Sequence, residues 1–157
     1  MKLKKYIGFV NEKFGVSIQI CEKSKETYGF ILKYLNNIIS FGGYMDNENL
    51  YQVCAYDNSE LIGIRLFRMK DRKVHLNYSV VSESHRNMGI NKKMAEKIFE
   101  ISENNGVELI TSNVRESNIY SIKSLLSSGF QINDKVVRYY DDGEKKISLF
   151  KECKSYD

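Results

Sequence analysis

The sequence contains no proline. Lysine, asparagine, isoleucine and tyrosine are frequent, which reads as one compositional bias, so the missing prolines carry little weight against any motif. No apolar run approaches the ~18–20 residues of a bilayer span, which excludes a membrane helix. The opening Met1–Ile7 stretch is basic but has neither a long apolar core nor a small-residue cleavage site. It does not read as a signal peptide, and a cytoplasmic location is expected. Cysteine is scarce: Cys21, Cys54 and Cys153 lie far apart and form no CxxC pair. That spacing predicts no metal site and reduced thiols, with Cys54 as a small core hydrophobe inside an apolar strand pattern. There is no repeat, low-complexity tract or Gly/Ser linker, so one domain over residues 1–157 is expected, with a weak helical pattern at Leu3–Phe14 as an added N-terminal element. The net charge of +4 comes from 24 basic and 20 acidic residues interspersed with one another. That falls short of the clustered basic stripe of a nucleic-acid binder, and an anionic cofactor explains the excess equally well.

What is present is a core-forming share of 42% hydrophobic residues. Val16–Ile20 alternates apolar and polar residues, as a half-buried strand does. Tyr28, Ile31, Leu32, Leu35, Ile38 and Ile39 follow helical spacing, and the glycines after Phe41 predict a helix stop there. Three strand-like runs follow at Leu50–Tyr56, Leu61–Met69 and Lys73–Val81, separated by short turns, which predicts an antiparallel meander. A helix over Ile90–Glu103 places Ile90, Met94, Ile98 and Ile101 on one face. Val107–Val114 reads as a strand. Asn118–Ser127 reads as a helix with Ile119, Ile122, Leu125 and Leu126 at helical spacing. Phe130–Tyr140 and Lys145–Lys151 read as a final hairpin turning at Asp141–Gly143. The fold class is mixed α/β with a largely antiparallel sheet.

The most informative stretch is Val80–Asn91. A β-branched strand end passes through the polar turn Ser82-Glu83-Ser84-His85-Arg86-Asn87-Met88 and enters a helix at Gly89. Such a turn aims several backbone N–H groups at one point beside the positive end of a helix dipole, which suits a phosphate or pyrophosphate.

These residues resemble the GCN5-related N-acetyltransferases, the GNAT family. The family's acetyl-CoA loop runs Arg or Gln, two residues, Gly, any residue, then Gly or Ala; here Arg86 and Gly89 match and Asn91 departs. Asn87 stands where glycine is frequent, and asparagine tolerates left-handed backbone. A second matching segment runs Val114, Asn118 and Gly129-Phe130 at the family's spacings. The resemblance covers about Leu50–Lys151 and implies the family's fold and direct acetyl transfer from acetyl-CoA to an amine of a small molecule. It implies cofactor contacts at Val80, Val81, Arg86, Asn87, Met88, Gly89, Ile90, Asn91 and Asn118, with the Val81 amide polarising the thioester. Lys92 and Lys93 would add charge near the phosphates. Counting back from Val81, His75 falls where relatives carry a basic carboxylate, with Tyr78 and Glu83 as weaker alternatives. His85 reads as a contact residue. The tyrosine that relatives use to protonate the thiolate is Leu125 here. Phe41, Tyr44, Tyr51, Tyr139 and Tyr140 are expected to line the acceptor site. The alternatives are a non-catalytic acyl-CoA-binding module on the same fold, prompted by Leu125 and Asn91, and a nucleic-acid-binding domain. Exposed strand edges or the leading helix suggest a homodimer.

Overall fold

The computed structural model describes residues 15–35 and 39–154. The expected leading helix at Leu3–Phe14 and the residue Ile38 lie outside that range. In chain order the elements are β1 (Val16–Ile20), α1 (Lys25–Tyr34), α2 (Phe41–Asp46), β2 (Leu50–Asp57), β3 (Glu60–Lys70), β4 (Lys73–Val81), α3 (Ile90–Asn104), β5 (Leu109–Arg115), α4 (Ile119–Ser127), β6 (Gln131–Ile132), β7 (Arg138–Tyr139) and β8 (Lys145–Glu152). A short 3-10 turn at Glu83–His85 precedes α3. The strands form one sheet in the order β1-β2-β3-β4-β5-β8-β6, with β7 on β8. Only β4 and β5 run parallel, because α3 carries the chain back between them.

The meander forms as the sequence predicts. β3 and β4 are joined by Asp71 and Arg72, both at positive φ (51° and 61°), the two-residue hairpin geometry that matches strand twist. Alternation along the strands feeds two cores. Val53, Ala55, Phe67, Met69, Val74 and Leu76 pack with Met94, Ile98 and Ile101 of α3 on one face. Cys54, Ile64, Leu66 and Val80 pack with Ile31 of α1 and Tyr44 of α2 on the other. The four α3 residues predicted to share a face are all at most 3% exposed.

Four expectations need correction. α1 stops at Tyr34, where Leu35 N–H donates to Ile31 C=O, and Gly42 and Gly43 lie inside α2. The reason is Ser40, whose hydroxyl accepts from Gly43 N–H at 3.0 Å and starts a new helix across the predicted stop. Cys21 and Cys54 are joined by a disulfide rather than reduced, their Cα atoms 6.1 Å apart. The β1–β2 register brings this about: Gln19 faces Cys54, and Cys21, continuing the pairing through its N–H to Gln52 C=O, lies diagonally across from it. Along α4 only Leu125 is buried, while Ile119 and Leu126 are 53% and 42% exposed. The last hairpin turns at Asp141–Gly143, but its first arm is not one strand: it meets β8 through the two-residue β6 and β7 and the Asn133 N–H, which donates to Ser148 C=O at 2.8 Å.

Candidate active site

α3 begins at Gly89, whose φ of 75° is left-handed, and Asn87 is left-handed as well at 63°. Asparagine is among the few non-glycine residues that accept this conformation, so the turn keeps its shape without a glycine there. The first bond of the helix runs from Lys93 N–H to Gly89 C=O, and no side chain caps the end. The N–H groups of Ile90, Asn91 and Lys92 therefore have no acceptor within the helix and point outward at its positive end. Two side chains brace the turn. Arg86 Nε donates to Val81 C=O at 3.2 Å, and His85 bridges Asp57 Oδ2 (2.9 Å) at the end of β2 to the Ser82 and Ser84 hydroxyls. Beside the turn lies a cavity of about 360 Å³ lined by Tyr34, Val81, Arg86, Asn87, Gly89 and Asn91.

The parallel pairing of β4 with β5 ends at Leu76 opposite Ser112. At the same level β4 bulges: Arg65 faces Ser79 and Phe67 faces Leu76, so Leu66 opposes both Asn77 and Tyr78. Beyond this point the two strands part, and a cleft of about 670 Å³ runs through the opening. Ser82 N–H donates to Ile62 C=O on β3 at 2.8 Å. Strand alternation then turns the backbone groups of Val81 and Ser79 toward the open side. The backbone of Val80 is turned to Ile64 and its side chain is 7% exposed in the core, although the residue also lines the cavity beside the turn, as Ser79 does.

At the closed end of the cleft stands His75, half-buried. Its Nδ1 lies 2.8 Å from the Thr111 hydroxyl, which itself donates to Val74 C=O at 3.5 Å. Nδ1 and the Thr111 hydroxyl share one hydrogen bond, and among the described residues Nε2 has no hydrogen-bond partner. Burial lowers the imidazole pKa below its ordinary value, and the charges of Arg68 and Lys146 lower it further. Among the described residues five cations line the cleft (Arg65, Arg68, Lys92, Arg115 and Lys146), and no aspartate or glutamate does. Arg65 donates to Asn91 Oδ1 at 2.6 Å, and burial pushes its pKa down to about 10. Its Nε and Asn77 Oδ1 are buried without a protein partner, and both residues line the cleft.

The cleft thus brings together His75, Tyr78, Asn91 and Asn118. Asn118 also caps α4, accepting from Ser121 N–H at 3.2 Å. Ile90 has its side chain in the core and offers only its N–H, while Met88 lines neither cavity and is 49% exposed. Asn91 accepts from Arg65, so its side chain bonds to β3 and does not cap the helix. Of the five aromatic residues expected around the acceptor, only Tyr140 lines the cleft. Tyr44 is fully buried and donates to Gln52 Oε1 at 2.6 Å, Tyr51 stacks on Phe67, Phe41 packs against Tyr28, and Tyr139 is 61% exposed. Residues not anticipated are Arg65, Arg68, Asn77, Ser79, Thr111 and Lys146. Arg65 alone had a local signal, a single charge in the apolar run Leu61–Phe67.

Several solved structures share this architecture. The ribosomal-protein-S18-alanine N-acetyltransferase from Escherichia coli superposes with a TM-score of 0.75 at 17% identity, covering 89% of this chain and 96% of that one. A GNAT family acetyltransferase from Elizabethkingia anophelis with acetyl-CoA bound gives 0.70 at 17% identity, covering 90% and 100%. A Bacillus subtilis acetyltransferase in complex with CoA gives 0.71 at 16% identity, covering 87% and 97%. No curated protein sequence matches the chain. The sequence profile described as the acetyltransferase (GNAT) family matches residues 17–130. With the braced turn, the parted β4 and β5 and this match over most of its length, the chain belongs to the GNAT acetyltransferase family.

Proposed function

We propose that this protein transfers the acetyl group of acetyl-CoA to the primary amine of a small molecule by direct attack on the thioester. The observation that carries the reading is the cleft itself. The open end has uncapped N–H groups at Ile90, Asn91 and Lys92, and the closed end has a histidine with a free Nε2. The pyrophosphate sits on the Arg86–Asn91 turn with Lys92 beside it, and the pantetheine arm lies between β4 and β5 in the place of a missing strand neighbour. Its amides supply partners for the outward backbone groups of Ser79 and Val81 and for the orphaned Arg65 Nε and Asn77 Oδ1. Asn118 contacts the same arm from the α4 side.

In the chemical step the amine nitrogen attacks the thioester carbonyl carbon, and the carbonyl oxygen takes up negative charge facing the outward Ser79 N–H, which stands three β3 positions from the level of His75 where the Val81 N–H stands five. His75 Nε2 removes the proton from the amine, the C–S bond breaks, and the CoA thiolate leaves. The lowered pKa keeps His75 neutral at pH 7, the form that accepts a proton. Tyr78, 45% exposed at the cleft mouth, is the second candidate for proton transfer. Leu125, buried to 6% exposure, donates no proton to the thiolate. Water serves, because thiol pKa values near ~8.5 make the thiolate a competent leaving group. The same leucine favours a second reading, a non-catalytic acyl-CoA-binding module.

A thermal shift with acetyl-CoA, CoA and ATP tests the reading. Ligand at ~100 times its Kd adds ~2.7 kcal/mol, which raises Tm by roughly 5–10 °C for a domain of this size. A shift with both CoA forms and not with ATP, followed by turnover in an amine panel, supports the enzyme. Binding without turnover of any amine supports the module, and no shift rejects both.

A further inference from the structure

The charges at the closed end of the cleft are placed for an acceptor, not for the cofactor. Arg68 and Lys146 line the cleft with His75, and their fields reach its imidazole. Arg68 lies directly opposite His75 in the β3–β4 register. Along β3 it stands five positions beyond Gly63, the partner of Val81, so the phosphate turn is roughly 16 Å away at the strand rise. Among the described residues neither cation has a carboxylate partner. The nearby acids of the last hairpin are committed elsewhere: Arg115 Nη1 donates to Asp142 at 2.7 Å and Glu144 at 2.9 Å, and Glu144 also accepts from the Ser117 amide and hydroxyl. Lys146 rests over the Tyr140 ring at 4.8 Å, a contact that holds the ammonium without neutralising it. Two uncompensated cations beside a partly buried base repel each other and the protonated base, a cost that an anion between them removes.

We infer that the acceptor carries an anionic group, a carboxylate or a phosphate, a few bonds from its amine, and that Arg68 and Lys146 bind this group while His75 faces the nitrogen. This specificity rests on the acetyltransferase reading above and narrows it to amino acids or amino-sugar phosphates. A neutral amine leaves both cations uncompensated, and a polyamine adds like charge.

The test compares matched acceptors: glycine with glycinamide, and glucosamine 6-phosphate with glucosamine, each rated per unprotonated amine. The anionic member of at least one pair is expected to show kcat/KM higher by about tenfold or more, mainly through KM. The pair that responds identifies carboxylate or phosphate as the source. Arg68→Gln and Lys146→Gln should each collapse that ratio toward unity, with thermal melts confirming that both variants fold. Equal rates within both pairs, or a preference for the neutral members, overturn the inference.

A second measurement needs no turnover. The chain has two histidines, and the C2 proton of His75 is assigned by its loss in His75→Gln. N-acetylglycine and N-acetyl-glucosamine 6-phosphate, the two anionic product forms, serve as probes, with N-acetylglycinamide as the neutral control. At least one anion should raise the His75 titration midpoint in the wild type and fail to do so in Arg68→Gln. The neutral control should leave it in place. No movement with either anion overturns the inference. Failure of the acetyl-CoA shift rejects the acetyltransferase reading, whereas the His75 titration judges the anion site by itself, so the two failures are distinguishable.

Discussion

At one end of the cleft, between Val81 and Lys92, the binding groups are the backbone amides and carbonyls of consecutive residues. At the other end, Arg68, His75, Thr111 and Lys146 come from four different strands. The first end needs a conformation: two left-handed residues, a helix start and braces from Arg86 and His85. The second needs particular side chains at one level of the sheet, which depends on register. A one-residue slip of any strand would turn its group to the other face. On the proposed reading, cofactor binding and acceptor choice therefore rest on different kinds of structure and should fail in different ways.

The sharpest way to break this comparison is Gly89→Glu, which places a Cβ at a φ of 75° and a carboxylate among the amides of the turn. Acetyl-CoA affinity is expected to fall by about 100-fold or more, with the Tm gain from ligand lost. Retained binding would show that the turn is not the anion site. His75→Gln attacks the other end. It should lower kcat by roughly 10²–10⁴, while the Kd for acetyl-CoA, read by calorimetry, stays near the wild-type value. If Kd moves instead, the two ends are not separable. Asn91→Ala sits where the ends meet, through Arg65. Losing the acceptor of a charged donor should cost about 1–3 kcal/mol in denaturant unfolding, more than it changes cofactor affinity. The smallest effect is on pH. His75 acts as a base only when neutral, and its pKa is lowered, so the acid limb of the kcat/KM profile, which reports the free enzyme, should lie below pH 6.5. Arg68→Gln removes one of the charges that lower it and should move that limb upward by less than about one unit. A downward move would mean that Arg68 acts on His75 through something other than its charge.

The cofactor end was readable before the structure because a turn between strand and helix is local. Arg86, Asn87 and Gly89 fall within four residues, and their preferences act on their own backbone. The acceptor end was not, with one exception. His75 was located by counting along a single strand, which is also local. Its partner Thr111 is 36 residues away, and Lys146 lies farther still. The aromatic residues were misplaced for the same reason. Tyr44 and Tyr51 have ordinary amphipathic surroundings in sequence; the folding of α2 against β2 buries the first with Thr27 and Gln52, and the β2–β3 register stacks the second on Phe67. Asn91 was read as a departure from the family loop, and it accepts from an arginine on β3 that no local pattern links to it.

Period and turn chemistry determined most of the elements and the shape of the Arg86–Asn91 turn, because these act over a few residues of backbone; α2, which Ser40 starts across the expected helix stop, was not among them. Sheet register decided the cleft. The bulge at Asn77–Tyr78 and the end of β4–β5 pairing at Leu76 and Ser112 open the cleft. The pairing of β3, β4, β5 and β8 sets Arg68, Lys146 and His75 around its closed end. Side chains that meet across strands are placed by hydrogen bonds and packing distributed over the whole sheet, and no short stretch of sequence contains that information.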